Sequence, residues 1–350
     1  MRYPFLNQRV NYFNYFFRRP FQSESSPYYF AYGRTALKFG LIANNFHIGR
    51  KKVLMPSFIC QEAIKPFLDL NITLVYYSIK EDFSPDWEEL SRIMSPDVNA
   101  IVMVHYFGLA QDIEKFIEFS TKNNLFLIED NTQGYGGLSE GKLLGEFGGF
   151  GVSSPRKSLP LNNGALLYLK NGFYKHKFKS IEPMNVTKFI ARSSISRCLD
   201  FFPRLKYFIK SKRRPFDFST IEVEDWLMDK ANYDYLSKIN LEDLRIKRSE
   251  IFRVWYNWSV KNKFHPIELK HNNNAPMIFP LIVNSRNERD DLFEFFIKRY
   301  VPVYIIWNEQ PPINVSAKSI KDKLLCLPID LNFSPSDVDA YINKYCMYNN

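Results

Sequence analysis

The chain has 350 residues, 45% of them hydrophobic, 17% aromatic and 24% charged, which excludes a disordered chain and provides for one large domain plus a smaller one. It carries a net charge of +10. It lacks a run of roughly 18 apolar residues and a secretory start over Met1–Phe5, so a cytoplasmic protein without a transmembrane helix is expected.

Cys60, Cys198, Cys326 and Cys346 are scattered and form no C-x-x-C pair, and the histidines show no ligand spacing. Reduced thiols and no bound metal are expected. The densest basic run, Arg204 to Arg214, reads first as a solvated helix face. A membrane surface or a nucleotide diphosphate would be its anionic alternatives. Nucleic acid is not expected, because no zinc module or helix-turn-helix spacing accompanies the charge.

Residues 1–30 are aromatic and basic without a clean period, and read as an arm across a larger body. Residues 31–180 read as a large α/β domain with a mostly parallel sheet. There Thr35–Ala43 is a helix opening just after Gly33, Val53–Met55 a strand stopped at Pro56, and Thr73–Tyr77 another strand. Ala100–His105 is an apolar run of the kind buried on both faces of a parallel sheet. Ile113, Phe116, Ile117 and Phe119 mark a helix, and Leu125–Asp130 a second buried strand. Together they make a right-handed βαβ unit, whose ligand would sit beyond the strand ends, where His105 and Asp130 lie.

Residues 181–235 are basic and aromatic and read as a helical connection. Residues 236–350 read as a compact α+β domain. Its elements are a helix over Leu241–Trp258, a strand over Met277–Val283, a helix near Asp290–Tyr300 and a strand over Val301–Tyr304.

Four local features carry chemistry. Gly33-Arg34-Thr35 opens a helix, where free N–H groups, the positive helix end and a hydroxyl suit an anion; a plain helix start is the simpler reading. Asp130 ends a strand before a glycine-containing turn, a place from which a carboxylate can keep a pyridine nitrogen protonated. It could equally cap the turn or bind a metal. Lys157 follows a small polar turn that includes Ser154, and a lysine that attacks an aldehyde needs a desolvated or cationic setting, which Arg156 would favour. His105 reads as a packed, hydrogen-bonded histidine before it reads as a catalyst.

In this order, the residues resemble the DegT/DnrJ/StrS family of sugar aminotransferases, within the fold-type I enzymes that use pyridoxal 5'-phosphate (PLP). The resemblance rests on Val53–Cys60, on Val104–Gly108 with Asp112-Ile113, on Leu127–Gly137 and on Ser154–Leu167. It extends more loosely to Leu325–Asp330 and Ser334–Val338. It implies a fold-type I large domain with a smaller C-terminal domain. It also implies a Schiff base between Lys157 and PLP, Asp130 on the pyridinium nitrogen, and Gln133 on the ring's phenolic oxygen. Thr35, the Arg34 backbone and Ser154 would hold the phosphate.

Freed Lys157 would move protons, taking an amino group from glutamate to a nucleotide-linked keto-deoxysugar for surface-glycan or related biosynthesis. A homodimer is implied, because relatives build the site at a subunit interface. Departures accompany these matches. Cys60 stands where many relatives place an aromatic residue over the ring, and Val152 where longer relatives carry a serine. Of the N-Y-R-M segment that crosses the dimer, only Asn232-Tyr233 remains as an echo. Lys157 argues against the dehydrating relatives, which carry histidine there. A PLP enzyme of other specificity and a non-catalytic paralogue that binds PLP or nucleotide-sugar are the alternatives.

Overall fold

A computed structural model describes residues 20–21, 26–170, 223, 225–269, 273–307 and 313–346. The basic run 204–214, most of the arm and most of the connecting segment lie outside the described residues.

Two short strands, β1 (Pro20–Phe21) and β2 (Tyr28–Phe30), lead into helix α1 (Gly33–Ala43). There follow β3 (Lys52–Pro56), α2 (Gln61–Asp69), β4 (Thr73–Tyr77), α3 (Trp87–Ile93), β5 (Val98–Val104), α4 (Ile113–Lys122) and β6 (Phe126–Asn131). A small hairpin, β7 (Leu138–Ser139) and β8 (Lys142–Leu143), precedes β9 (Phe150–Ser153) and β10 (Ala165–Leu169). The rest comprises β11 (Met228–Asp229), α5 (Lys230–Leu236), α6 (Leu241–Lys261), β12 (Ile278–Ile282), α7 (Arg286–Lys298), α8 (Val315–Lys323), β13 (Leu324–Pro328) and α9 (Pro335–Tyr345).

The central sheet has seven strands in the order β2-β10-β9-β6-β5-β3-β4. From β9 to β4 every pairing is parallel, while β10 and β2 are added antiparallel at one edge. Strand β5 is buried along nearly its whole length, as a strand covered by helices on both faces must be. The reversal of strand order puts the ends of β3, β5, β6 and β9 along one edge, the place where such sheets bind ligands.

Side chains cap most helices that lie away from that edge. Asp86, Asp112, Asn240, Ser285 and Asn314 each accept from backbone N–H groups, and Ser334 with Asp337 forms a capping box. Helix α1 begins after Tyr32 with no side-chain cap bond.

A second apolar cluster gathers Phe252, Trp255, Phe279, Phe296, Leu325 and Val338 around the β12–β13 pair, α6, α7 and α9. Two expectations change here. The strand over Val301–Tyr304 shrinks to one bridge between Tyr304 and Cys326, because Pro302 has no N–H and Val303 N turns back to Val301 O at 2.9 Å. The second helix starts earlier, at Arg286, where Ser285 caps it. Among the described residues no helix is long and apolar enough to cross a membrane.

Candidate active site

Lys157 ends a single helical turn, Pro155–Lys157, just past β9. Its Nζ donates to Thr132 Oγ1 at 3.0 Å. Thr132 in turn donates its backbone N–H to Asp130 Oδ1 at 2.9 Å. The amine and the carboxylate, which the sequence places in separate segments, thus meet on one threonine. Asp130 is buried at the end of β6, whereas Lys157 is exposed on the single chain. The described residues around Lys157 do not supply the desolvated setting expected for the lysine; Arg156 is its neighbour in sequence.

Gln133 is buried, and its Oε1 accepts from Phe107 N at 2.7 Å. Its amide nitrogen makes no hydrogen bond among the described residues and remains a donor. The Phe107–Gly108 bend that presents this N–H has positive φ at both residues, and a Cβ at Gly108 would stand 2.5 Å from Ala275 O.

Gly33, Arg34 and Thr35 form the first turn of α1. A Cβ at Gly33 would come within 3.2 Å of Thr132 Cγ2 and 3.9 Å of Ser154 Cβ, so this glycine keeps a hollow open between the helix start and the lysine turn. Thr35 is fully buried. Ser154 is buried too, and its hydroxyl donates to Gly164 O at 3.2 Å. The Arg34 guanidinium lies 4.3 Å from the Tyr32 ring centre, and its Nη1 is 3.5 Å from Glu62 Oε2. Cys60 occupies the position before α2, half-buried, and its thiol is near enough to act on the Arg156 charge.

Among the described residues, several buried polar atoms at this edge have no hydrogen-bond partner: Ser57 Oγ, Arg156 Nε and both amide atoms of Asn162. Buried polar groups in folded chains are nearly always satisfied, so a cluster of exceptions marks where a ligand would bond. With the hollow at Gly33, the donor set fits a group that carries both a phosphate and an aromatic ring nitrogen.

Three contributors were not legible as site residues. Thr132 lies inside the quoted Asp130 segment, but only the fold shows that Lys157 reaches it. Glu129 is fully buried and accepts from His105 Nε2 at 2.8 Å, Gly145 N at 2.6 Å, Phe147 N at 2.6 Å and Gly148 N at 3.1 Å. Gln111 N donates to His105 Nδ1 at 3.0 Å, so the ring proton sits on Nε2 and goes to Glu129. His105 is thus a packed, bonded histidine.

Arg248 on α6 is buried and donates to Ser158 O at 2.8 Å and Ala275 O at 3.3 Å. It ties the residue after Lys157 to the C-terminal part of the chain, and burial pushes its guanidinium down to about 10. The asparagine echo turns inward. Asn232 on α5 is buried and donates to Asn163 Oδ1 at 3.0 Å within the same chain.

Residues 29–189 match the model of the DegT/DnrJ/EryC1/StrS aminotransferase family. L-glutamine:2-deoxy-scyllo-inosose aminotransferase of Streptomyces kanamyceticus is 28% identical over 114 residues, 32% of this chain and 27% of that protein. GDP-perosamine synthase of Escherichia coli O157:H7 is 26% identical over 117 residues, 33% of this chain and 32% of that protein. The chain thus spans about a third or less of the length of these curated relatives. The PLP-form of a putative sugar aminotransferase, Spr1654 from Streptococcus pneumoniae, has a similar fold with a TM-score of 0.65. That match is 14% identical and covers 91% of this chain and 85% of the other.

Proposed function

We propose that this chain, a member of the DegT/DnrJ/EryC1/StrS aminotransferase family by its residues 29–189, is a PLP-dependent aminotransferase acting on a sugar keto group. The observation that carries the reading is the convergence of Lys157 and Asp130 on Thr132. That geometry places a primary amine and a buried carboxylate around one hollow, next to a helix start with no side-chain cap.

In this reading PLP supplies the electron sink for the bond changes at the substrate carbon. The Lys157 Nζ would hold the cofactor and, once released from it, would carry the proton that the amino transfer moves. The Asp130 carboxylate would keep the ring nitrogen of the bound cofactor protonated, because opposite charges favour the charged form of each. The amide nitrogen of Gln133, fixed in place through its own oxygen, would donate to the cofactor's phenolic oxygen. Thr35, the Arg34 backbone and Ser154 would hold the phosphate, for Ser154 by turning its proton away from Gly164 O.

The finer reading is a nucleotide-linked keto-deoxysugar as acceptor and glutamate as donor, in surface-glycan or related biosynthesis. GDP-perosamine synthase among the relatives favours the nucleotide; the glutamine in another relative's name makes that amino acid the competing donor. The working form is a homodimer, in which a second copy would cover the exposed Lys157 and desolvate its amine. Incubating the PLP-loaded protein with nucleotide-linked keto-sugars and glutamate or glutamine, with products identified by mass and NMR, tests this. An aminated sugar supports it, and no amination with any acceptor contradicts it.

Cys60, beside the site in place of an aromatic residue, favours one other reading, a paralogue that binds cofactor without turnover. That protein would show a visible band with PLP that neither amino acid bleaches.

A further inference from the structure

Arg34 and Arg156 lay their guanidinium groups against the same ring, that of Tyr32, at 4.3 and 5.0 Å from its centre. They arrive from different elements, Arg34 from the first turn of α1 and Arg156 from the turn that ends in Lys157. Arg34 also meets Glu62, which is itself half exposed. Arg156 makes no hydrogen bond and no ion pair among the described residues, and its Nε is sealed from solvent.

This arrangement is costly as it stands. A guanidinium has five donors, and burying part of it without an acceptor forfeits hydration that nothing replaces. Burial pushes the Arg156 guanidinium down and Arg34 adds to this, while Tyr32, Glu62 and Cys60 oppose it. Two cations on one ring also repel each other. Stacking on an aromatic face does fix the plane of a guanidinium and leaves its edge free for a planar two-oxygen partner. An anion at the edge of the Arg156 guanidinium would satisfy its donors and offset the repulsion.

We propose that Arg156, held on Tyr32 beside Arg34, forms an oxyanion subsite that takes a carboxylate or phosphate of a substrate beside Lys157. The proposal rests on reading Lys157 as the reactive amine. It is separate from the cofactor's phosphate hollow, which Thr35, the Arg34 backbone and Ser154 line. Two sources share this chemistry, the carboxylate of an amino-acid donor and the diphosphate of a nucleotide-sugar.

The test is calorimetric titration of the full chain, preloaded with PLP, with glutarate in one arm and inorganic pyrophosphate in the other. One of the two should bind, and Arg156→Met should weaken it by about tenfold or more, in line with a lost charge-assisted pair. Retention of PLP, read by absorbance, should not change. Glutarate binding assigns the subsite to the donor, and pyrophosphate binding to the nucleotide. Arg156→Lys keeps the charge but not the fork; it should lose at least about threefold and carries the test if the Met variant does not fold. Three results would overturn the proposal: neither anion binds, binding is indifferent to both Arg156 variants, or PLP retention falls in parallel. Should the chain fail to retain PLP yet bind an anion through Arg156, the aminotransferase reading fails and the subsite stands.

Discussion

Two buried polar regions lie a few residues apart along the same sheet edge, and they are built in opposite ways. Around Glu129, both carboxylate oxygens are filled by His105 and by the backbone N–H groups of the 145–148 turn, and the histidine's other nitrogen is filled by Gln111. Around Lys157, Arg156 Nε and both amide atoms of Asn162 are buried without a hydrogen-bond partner among the described residues. A saturated knot holds shape, since any further polar group there would lack a partner. The unsaturated loop keeps donors in reserve for something that is not protein. Adjacent residues, Glu129 and Asp130, face these two tasks from one strand.

Substitutions on the two sides should therefore separate activity from stability. Lys157→Ala should abolish turnover, by about 10³-fold or more, with the melting curve close to that of the parent; a normal rate in that variant would move the reactive amine elsewhere. Asp130→Asn should lower turnover by roughly 10²-fold while PLP stays bound, as seen by absorbance and steady-state kinetics. Full activity there would remove the ring-nitrogen role.

Glu129→Gln should act through folding instead, costing about 2–4 kcal/mol in a urea melt, because a buried acceptor of several N–H groups is converted in part to a donor. The knot also predicts a pH signature. Burial pushes the Glu129 carboxyl up, but the bonds from His105, Gly145 and Phe147 outweigh it and hold the group below its ordinary value. A carboxyl lowered in the folded chain contributes stability that is fully present above its unfolded value, roughly 4.3, and lost as pH falls through the folded one. Melts between about pH 6 and about pH 3 should show that loss in the parent and a flatter profile in Glu129→Gln. The smallest effect is expected at Asn162→Ala. Its amide has no partner to lose among the described residues, so stability should stay within about 0.5 kcal/mol. A large drop would place Asn162 among the structural residues and blur the contrast.

How far this could be read from the sequence depends on how local the cause is. The β5 and β6 strands are legible because a strand buried on both faces must be apolar throughout, and α6 because it is long and capped at Asn240. The Lys157 and Asp130 segments stand out by their turns and by family likeness. What joins them, Thr132 through its hydroxyl to Lys157 and its backbone N–H to Asp130, depends on two loops meeting and has no local signal. Arg248 is hidden for a similar reason. It sits in a run of charged residues on α6, and only the packing against Ser158 and Ala275 decides that this one is buried. Arg156 reads in the sequence as a neighbour that tunes Lys157, whereas the fold lays it on Tyr32. Helix α2 carries Pro66 in its interior, against the usual rule for helices, so its sequence does not mark it as an element.

The central claim is that Lys157 is the amine that holds PLP. Loading the full chain with PLP, fixing the bond with borohydride and mapping the labelled peptide by mass spectrometry tests it most directly. The label is expected on the peptide that contains Lys157, and not in Lys157→Ala. A label on any other lysine, or equal labelling of the variant, would contradict the account.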